Sequence, residues 1–145
     1  MGESSMKLDD ALNEISTLGF DTAPIIYFVE ANPIYDLIVT EVFLQIERGE
    51  IKGVTSVISL CEALVHPFRN KHTDLQKHYQ EILLASPNFY TQSINPQIAK
   101  IAAQLRANYN LRTPDALQLA AALENGCDAF LCNDKNLKRV TELKV

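Results

Sequence analysis

Apolar runs of strand length alternate along the chain with longer stretches whose apolar residues recur at helical spacing. The run Leu18 to Asp21 reads as a first strand. Thr22 to Ala31 is apolar with Pro24 near its start, and the first turn of a helix tolerates proline because its N–H groups have no partners there. A second helix is expected from Pro33 to Arg48, with Leu37, Val42, Phe43 and Leu44 on its apolar face and Gly49 as its stop. Gly53 to Ile58 is rich in β-branched residues and reads as a second strand. Ser59 is expected to cap the next helix, which carries Glu62 and ends near Pro67. Asp74 to Ala85 forms a further helix, closed by Ser86-Pro87-Asn88, and Phe89 to Ile94 a third strand. Asn95-Pro96 and Thr113-Pro114 are two helix-start signals. The first opens a helix with Ile98, Ile101, Ala102, Leu105 and Tyr109 on one face; the second opens an Ala- and Leu-rich helix that Gly126 terminates. Ala129 to Cys132 is a fourth strand, and Thr141 to Val145 a candidate fifth.

Strands alternating with helices predict an α/β fold with a mostly parallel sheet of four to five strands. No repeat, low-complexity tract or Pro/Gly/Ser-rich linker divides the chain. One domain is therefore expected over residues 18–145, with residues 1–17 as an N-terminal extension. The 145 residues, 47% hydrophobic and 21% charged, suffice for a sizeable core. No apolar stretch approaches the ~20 residues of a membrane helix. The N-terminal segment lacks the basic-then-apolar order of a secretory signal. Cys61, Cys127 and Cys132 form no C-x-x-C pair and are expected to be reduced thiols acting as small buried hydrophobes. A cytoplasmic protein with no membrane association is the expectation.

The net charge of −5, from 13 basic and 18 acidic residues, argues against broad non-specific nucleic-acid binding, which needs a basic footprint. It leaves room for a local basic rim at Arg112 and at Lys135, Lys138 and Arg139.

Four acids change the picture: Asp21 in FDTAPIIYF, Glu62 in SLCEAL, Asp115 in LRTPDALQLA and Asp134 in FLCND. Each sits at or just after an apolar run, where an unpaired charge is costly. In open parallel sheets ligands bind beyond the carboxyl ends of the strands, and the predicted elements bring all four acids to that edge. At about 6 Å and an effective dielectric of ~20, each carboxylate pair repels by roughly 3 kcal/mol, and the set costs on the order of 15 kcal/mol. A domain has only about 5–15 kcal/mol of net stability. Such a cluster must take up protons or cations. Hard oxygen donors suit Mg²⁺ or Mn²⁺, which activate water and stabilise the leaving oxygen in phosphodiester hydrolysis.

Each acid also has a plain alternative. Asp21 or Thr22 suits a helix cap, Asp115 the positive end of a helix, Asn133-Asp134 a turn, and Glu62 an ion pair. His66, four residues after Glu62, borders the region but reads as a partly exposed histidine near a helix end. Tyr27 and Phe28 read as core packing before base stacking. No P-loop or G-x-G-x-x-G occurs.

The order of these four acids resembles the PIN-domain nucleases, in particular the VapC-like toxins of bacterial toxin–antitoxin pairs. The resemblance runs from Asp21 to the C-terminus and is most specific over LRTPDALQLAAALENGCDAFLCNDKNL. It implies a three-layer α/β/α sandwich and a Mg²⁺- or Mn²⁺-dependent endoribonuclease with Asp21, Glu62, Asp115 and Asp134 as metal-binding acids. Thr22, Thr113 and Asn133 would support them, and Cys132 stands where members often carry a hydroxyl. It also implies an RNA substrate, a cognate antitoxin and a homodimer. Two rivals remain. One is a catalytically silent PIN-like module that binds RNA or protein. The other is a receiver-type phosphotransfer domain, which normally needs paired acids after its first strand, where Asp21 stands alone.

Overall fold

The computed structural model describes Leu12, residues 14–133 and Leu137. In chain order its elements are β1 (Thr17–Phe20), α1 (Thr22–Val29), α2 (Asp36–Glu47), β2 (Lys52–Ser56), α3 (Val57–Arg69), α4 (Thr73–Ala85), β3 (Phe89–Gln92), α5 (Pro96–Tyr109), α6 (Thr113–Glu124) and β4 (Ala129–Leu131). The strands form one sheet in the order β3-β2-β1-β4, with every pairing parallel. The expected fifth strand, Thr141 to Val145, lies outside the described residues.

Alternation along the strands creates the layers, because successive side chains point to opposite faces. Leu18 and Phe20 of β1 and Ala129 of β4 join a core with Ile25, Val42, Phe43, Ile46, Tyr79 and Leu83, drawn from α1, α2 and α4. Val54 of β2 and Phe130 of β4 join the opposite core, with Ile98, Ala102 and Leu105 of α5 and the buried face of α6. The first core is aromatic: Phe20, Phe43 and Phe89 meet with ring centroids 5.2–5.8 Å apart. The second is built on alanine. A Cβ added at Gly19 would stand 2.8 Å from Ala122 Cβ and 3.0 Å from Phe130, so the small residues of α6 and Gly19 together bring that helix onto β1. This is the three-layer α/β/α sandwich that the resemblance implied.

Several boundaries differ from the expectation, each for a local reason. The second strand stops at Ser56, because Ser56 and not Ser59 caps α3: its Oγ accepts from the Ile58 N–H at 3.1 Å. Glu62 accordingly sits in the second turn of that helix. Pro67 lies inside α3, which runs on to Arg69. Asn95 caps α5 as expected, accepting from the Ile98 N–H at 2.9 Å. Thr113 is the first residue of α6 and not its cap; the cap position is Arg112, which makes no side-chain capping bond. On α2 the buried residues are Val39, Val42, Phe43 and Ile46, while Leu37 and Leu44 are exposed. Of the cysteines only Cys127 is buried; Cys61 is exposed on α3 and Cys132 is partly covered. No described helix is long and apolar enough to cross a membrane.

Candidate active site

The strand order places a topological switch at β1. The chain moves outward from β1 through β2 to β3 and returns on the other side as β4. The crevice at the carboxyl end of such a switch is where open α/β sheets bind ligands. Asp21 stands there. Its backbone N–H donates to Leu131 O at 2.9 Å, continuing the β1–β4 pairing by one step. Its side chain caps α1, with Oδ1 accepting from the Thr22 N–H at 2.9 Å. The cap reading of Asp21 is therefore correct as far as it goes, and the same residue also occupies the switch point.

Thr22 turns inward and is buried. Its hydroxyl donates to Glu62 Oε1 at 2.6 Å, which links the start of α1 to the exposed second turn of α3. The expected ion pair of Glu62 is thus replaced by a hydroxyl–carboxylate bond. Asp115, in the first turn of α6, is only 7% exposed. Arg112 holds it with two contacts, Nε to Oδ2 at 3.0 Å and Nη2 to Oδ1 at 3.4 Å, while the guanidinium remains largely in solvent.

Beneath the acids lies a buried polar network that sequence reasoning missed. Its centre is Gln118, 2% exposed and one turn beyond Asp115 on the same face of α6. The Gln118 Nε2 group donates to Ser59 Oγ at 2.6 Å and to Thr22 Oγ1 at 3.2 Å, and Gln118 Oε1 accepts from the Ser56 hydroxyl. Thr55 Oγ1 donates to Phe20 O at 2.9 Å and lies 2.7 Å from Ser59 Oγ. Among the described residues no buried side-chain nitrogen or oxygen lacks a hydrogen-bond partner. A signal was present in the sequence: Gln118 is the one polar side chain between Ala116 and Ala122, in a helix that reads as buried. A glutamine placed there must have partners, because an unpaired buried amide is costly.

The electrostatics set Asp21 apart. Burial pushes its carboxyl above the ordinary aspartate range. The hydrogen bond from the Thr22 N–H pulls the other way; the negative charges of Asp115 and Glu62 raise it further, and a hydrogen bond from Gln118 lowers it. Three of the four expected acids therefore act on one another across the switch point. Asp134 lies outside the described residues. Among the described residues no three His, Cys, Asp or Glu side chains stand close enough to enclose an ion. The donors at the switch point are nonetheless all carboxylate oxygens, the set that suits Mg²⁺ or Mn²⁺ and discourages softer ions. Mutually repelling carboxylates, one of them desolvated, fit a divalent cation.

The other expected site residues fall as follows. Thr113 is exposed at the start of α6. Asn133 donates through Nδ2 to Tyr27 Oη at 2.9 Å, and Tyr27 in turn stacks on Tyr35 with centroids 4.9 Å apart. Phe28 packs on Phe43 in the aromatic core, as the core reading expects. His66 pairs with Asn70 on the exposed side of α3, and His72 caps α4.

The family model for the PIN domain matches residues 20–143. Among solved structures, a toxin–antitoxin complex from Klebsiella pneumoniae superposes with a TM-score of 0.68 at 22% identity, covering 90% of this chain and 97% of that one. VapBC2 from Rickettsia felis, bound to a DNA fragment from its promoter, superposes with a TM-score of 0.69 at 16% identity, covering 88% and 96%. At these identities the two structures speak for the fold. No curated protein matches the chain.

Proposed function

Because this chain belongs to the PIN domain family, we propose that it is a Mg²⁺- or Mn²⁺-dependent endoribonuclease that hydrolyses phosphodiester bonds in RNA, and the toxin of a toxin–antitoxin pair. One observation carries the nuclease reading: Asp21 lies at the switch point of the sheet, desolvated and facing the charges of Asp115 and Glu62. Asp21, Glu62, Asp115 and Asp134 are the residues that would hold the metal. A bound divalent ion supplies polarisation of the phosphoryl group and a nucleophile at neutral pH. The chain's own work is placement. The α1 cap fixes the Asp21 carboxyl, Thr22 fixes one oxygen of Glu62, and Arg112 presents a guanidinium at the rim of an otherwise acidic edge. A guanidinium beside the acids suits a phosphodiester, which must approach carboxylates of its own sign.

The toxin reading rests on the family and on the two similar structures, both of which are complexes of paired proteins. It brings a cognate antitoxin, a homodimer and a cytoplasmic setting as further proposals, with the nuclease domain over residues 18–145. A second reading, a PIN-like module that binds RNA or protein without cleaving, is favoured by the partners that Asp115 and Glu62 already have within the chain. The deciding experiment incubates purified protein with single-stranded and structured RNA in Mn²⁺, Mg²⁺ or EDTA, beside the Asp115→Asn variant. Cleavage that needs the metal and is lost in the variant supports the nuclease. RNA binding without cleavage, and no uptake of Mn²⁺, would put the binding module in its place.

A further inference from the structure

We infer that Gln118 is a positioning residue of the metal site: it sets the direction of the buried hydrogen-bond network, so that the single proton of Thr22 must point at Glu62. The argument counts protons. A threonine or serine hydroxyl has one to donate. Thr55 spends its proton on Phe20 O, since a carbonyl only accepts. The 2.7 Å contact between Thr55 and Ser59 must then be a donation from Ser59. Ser59 has no proton left for Thr22, although their oxygens are 3.1 Å apart. Both oxygens therefore need an outside donor, and the Gln118 Nε2 group faces both. The amide is held in that orientation from its other end, where Oε1 receives the Ser56 proton.

The consequence reaches the site. With an N–H directed at its oxygen, Thr22 has only its own O–H to offer, and that proton goes to Glu62 Oε1 at 2.6 Å. A carboxylate oxygen accepts such a bond, so the network fixes one oxygen of Glu62 in place. One neutral, buried side chain on α6 thereby orients Thr22 at the start of α1 and, through it, the acid carried by α3. Its lack of negative charge matters, since an acid at that position would add to the repulsion already acting on Asp21. Glutamine supplies two donors and an acceptor without a charge.

This inference rests on the metal-site reading above, and the test separates the two. Mn²⁺ binding to the full chain is measured by titration calorimetry for the wild type, Asp21→Asn, Gln118→Met, Thr22→Val, Thr22→Ser and the Gln118→Met/Thr22→Val double variant, with thermal unfolding in EDTA alongside. Removing such an orienting partner is expected to weaken Mn²⁺ by about 10–100-fold. Gln118→Met and Thr22→Val should each show that loss, Thr22→Ser should recover wild-type affinity, and the double variant should be no weaker than the worse single one. That non-additivity separates orientation through Thr22 from two independent structural losses. Wild-type affinity in Gln118→Met, or losses that multiply in the double variant, would overturn the inference and leave the metal site standing. Should Gln118→Met not fold, the pair Thr22→Val and Thr22→Ser decides: equal affinities overturn the inference. A wild type that takes up no Mn²⁺, or an Asp21→Asn variant that binds like wild type, would instead remove the site reading and this inference with it.

Discussion

Asp21 and Asp128 stand at opposite ends of the same strand pair and are perturbed in opposite directions. Asp128 precedes β4 beside the start of β1, exposed, with Oδ2 accepting from the Ser16 and Thr17 N–H groups at 2.8 and 3.1 Å. Those two bonds hold its carboxyl below the ordinary aspartate range. Asp21 follows β1 at the carboxyl end, where burial and the charges of Asp115 and Glu62 outweigh its one backbone bond. Both acids connect β1 to β4. The difference is that Asp128 meets donors and water, whereas Asp21 meets desolvation and its own sign of charge. The first arrangement stitches a sheet; the second is the environment that the proposed cation site calls for.

The largest expected effect tests that division directly. Asp21→Asn should reduce metal-dependent RNA hydrolysis by more than about 100-fold, beyond what loss of an orienting partner costs. Asp128→Asn should leave hydrolysis at the wild-type level. Equal losses in both variants, read from initial rates, would erase the distinction. A smaller effect concerns stability without metal. Asparagine caps helices as well as aspartate does, so Asp21→Asn keeps the α1 cap and removes only an unfavourable charge. Its Tm in EDTA at neutral pH should be higher than that of the wild type, and a lower one would show that the Asp21 charge is stabilising after all.

The smallest effects are those of Asp128. Asp128→Ala should lower stability by less than about 1 kcal/mol, because the bonds are solvent-exposed and screened. Urea unfolding at neutral pH checks this. Its pH dependence has a definite sign. The folded pKa of Asp128 lies below the unfolded value of 3.8, so its contribution is present above that value and fades as pH falls toward the folded pKa. Asp21 is the reverse. Its folded pKa lies above 3.8, so the metal-free protein should regain stability from this residue as pH falls from neutral through the folded pKa. Unfolding midpoints in EDTA from pH 7 to 4 should therefore bring the wild type closer to Asp21→Asn, while Asp128→Asn keeps its offset over the same range. Parallel pH profiles for all three proteins would contradict the comparison.

Much of this site was legible because its acids lie at junctions. Asp21 after an apolar strand and Asp115 just inside a helix start are visible as charges in costly places. Glu62 was visible as an acid in an apolar helix, but its partner was not, since Thr22 and Glu62 are 40 residues apart. A contact of Ser59 with Gln118, 59 residues away, hid the capping role of Ser56. Sequence spacing allows either Ser56 or Ser59 to start α3, and Ser59 is instead drawn to Thr55 and Gln118. Leu37 and Leu44 were misplaced on α2 for a related reason: a helix with apolar residues around much of its circumference does not announce which side the sheet will cover.

The amino-acid sequence by itself determined the alternation of strands and helices, the α/β class and which acids stand beside apolar runs, because these depend on periodicity, helix-start chemistry and the cost of charge in such places. The tertiary structure alone decided the strand order that puts Asp21 at a switch point, the bond from Thr22 to Glu62, and the burial of Gln118 against Thr22 and Ser59. Those depend on which surfaces meet across long stretches of chain. The direction of every proton in the network follows from the contacts made there and from nothing local to any one residue.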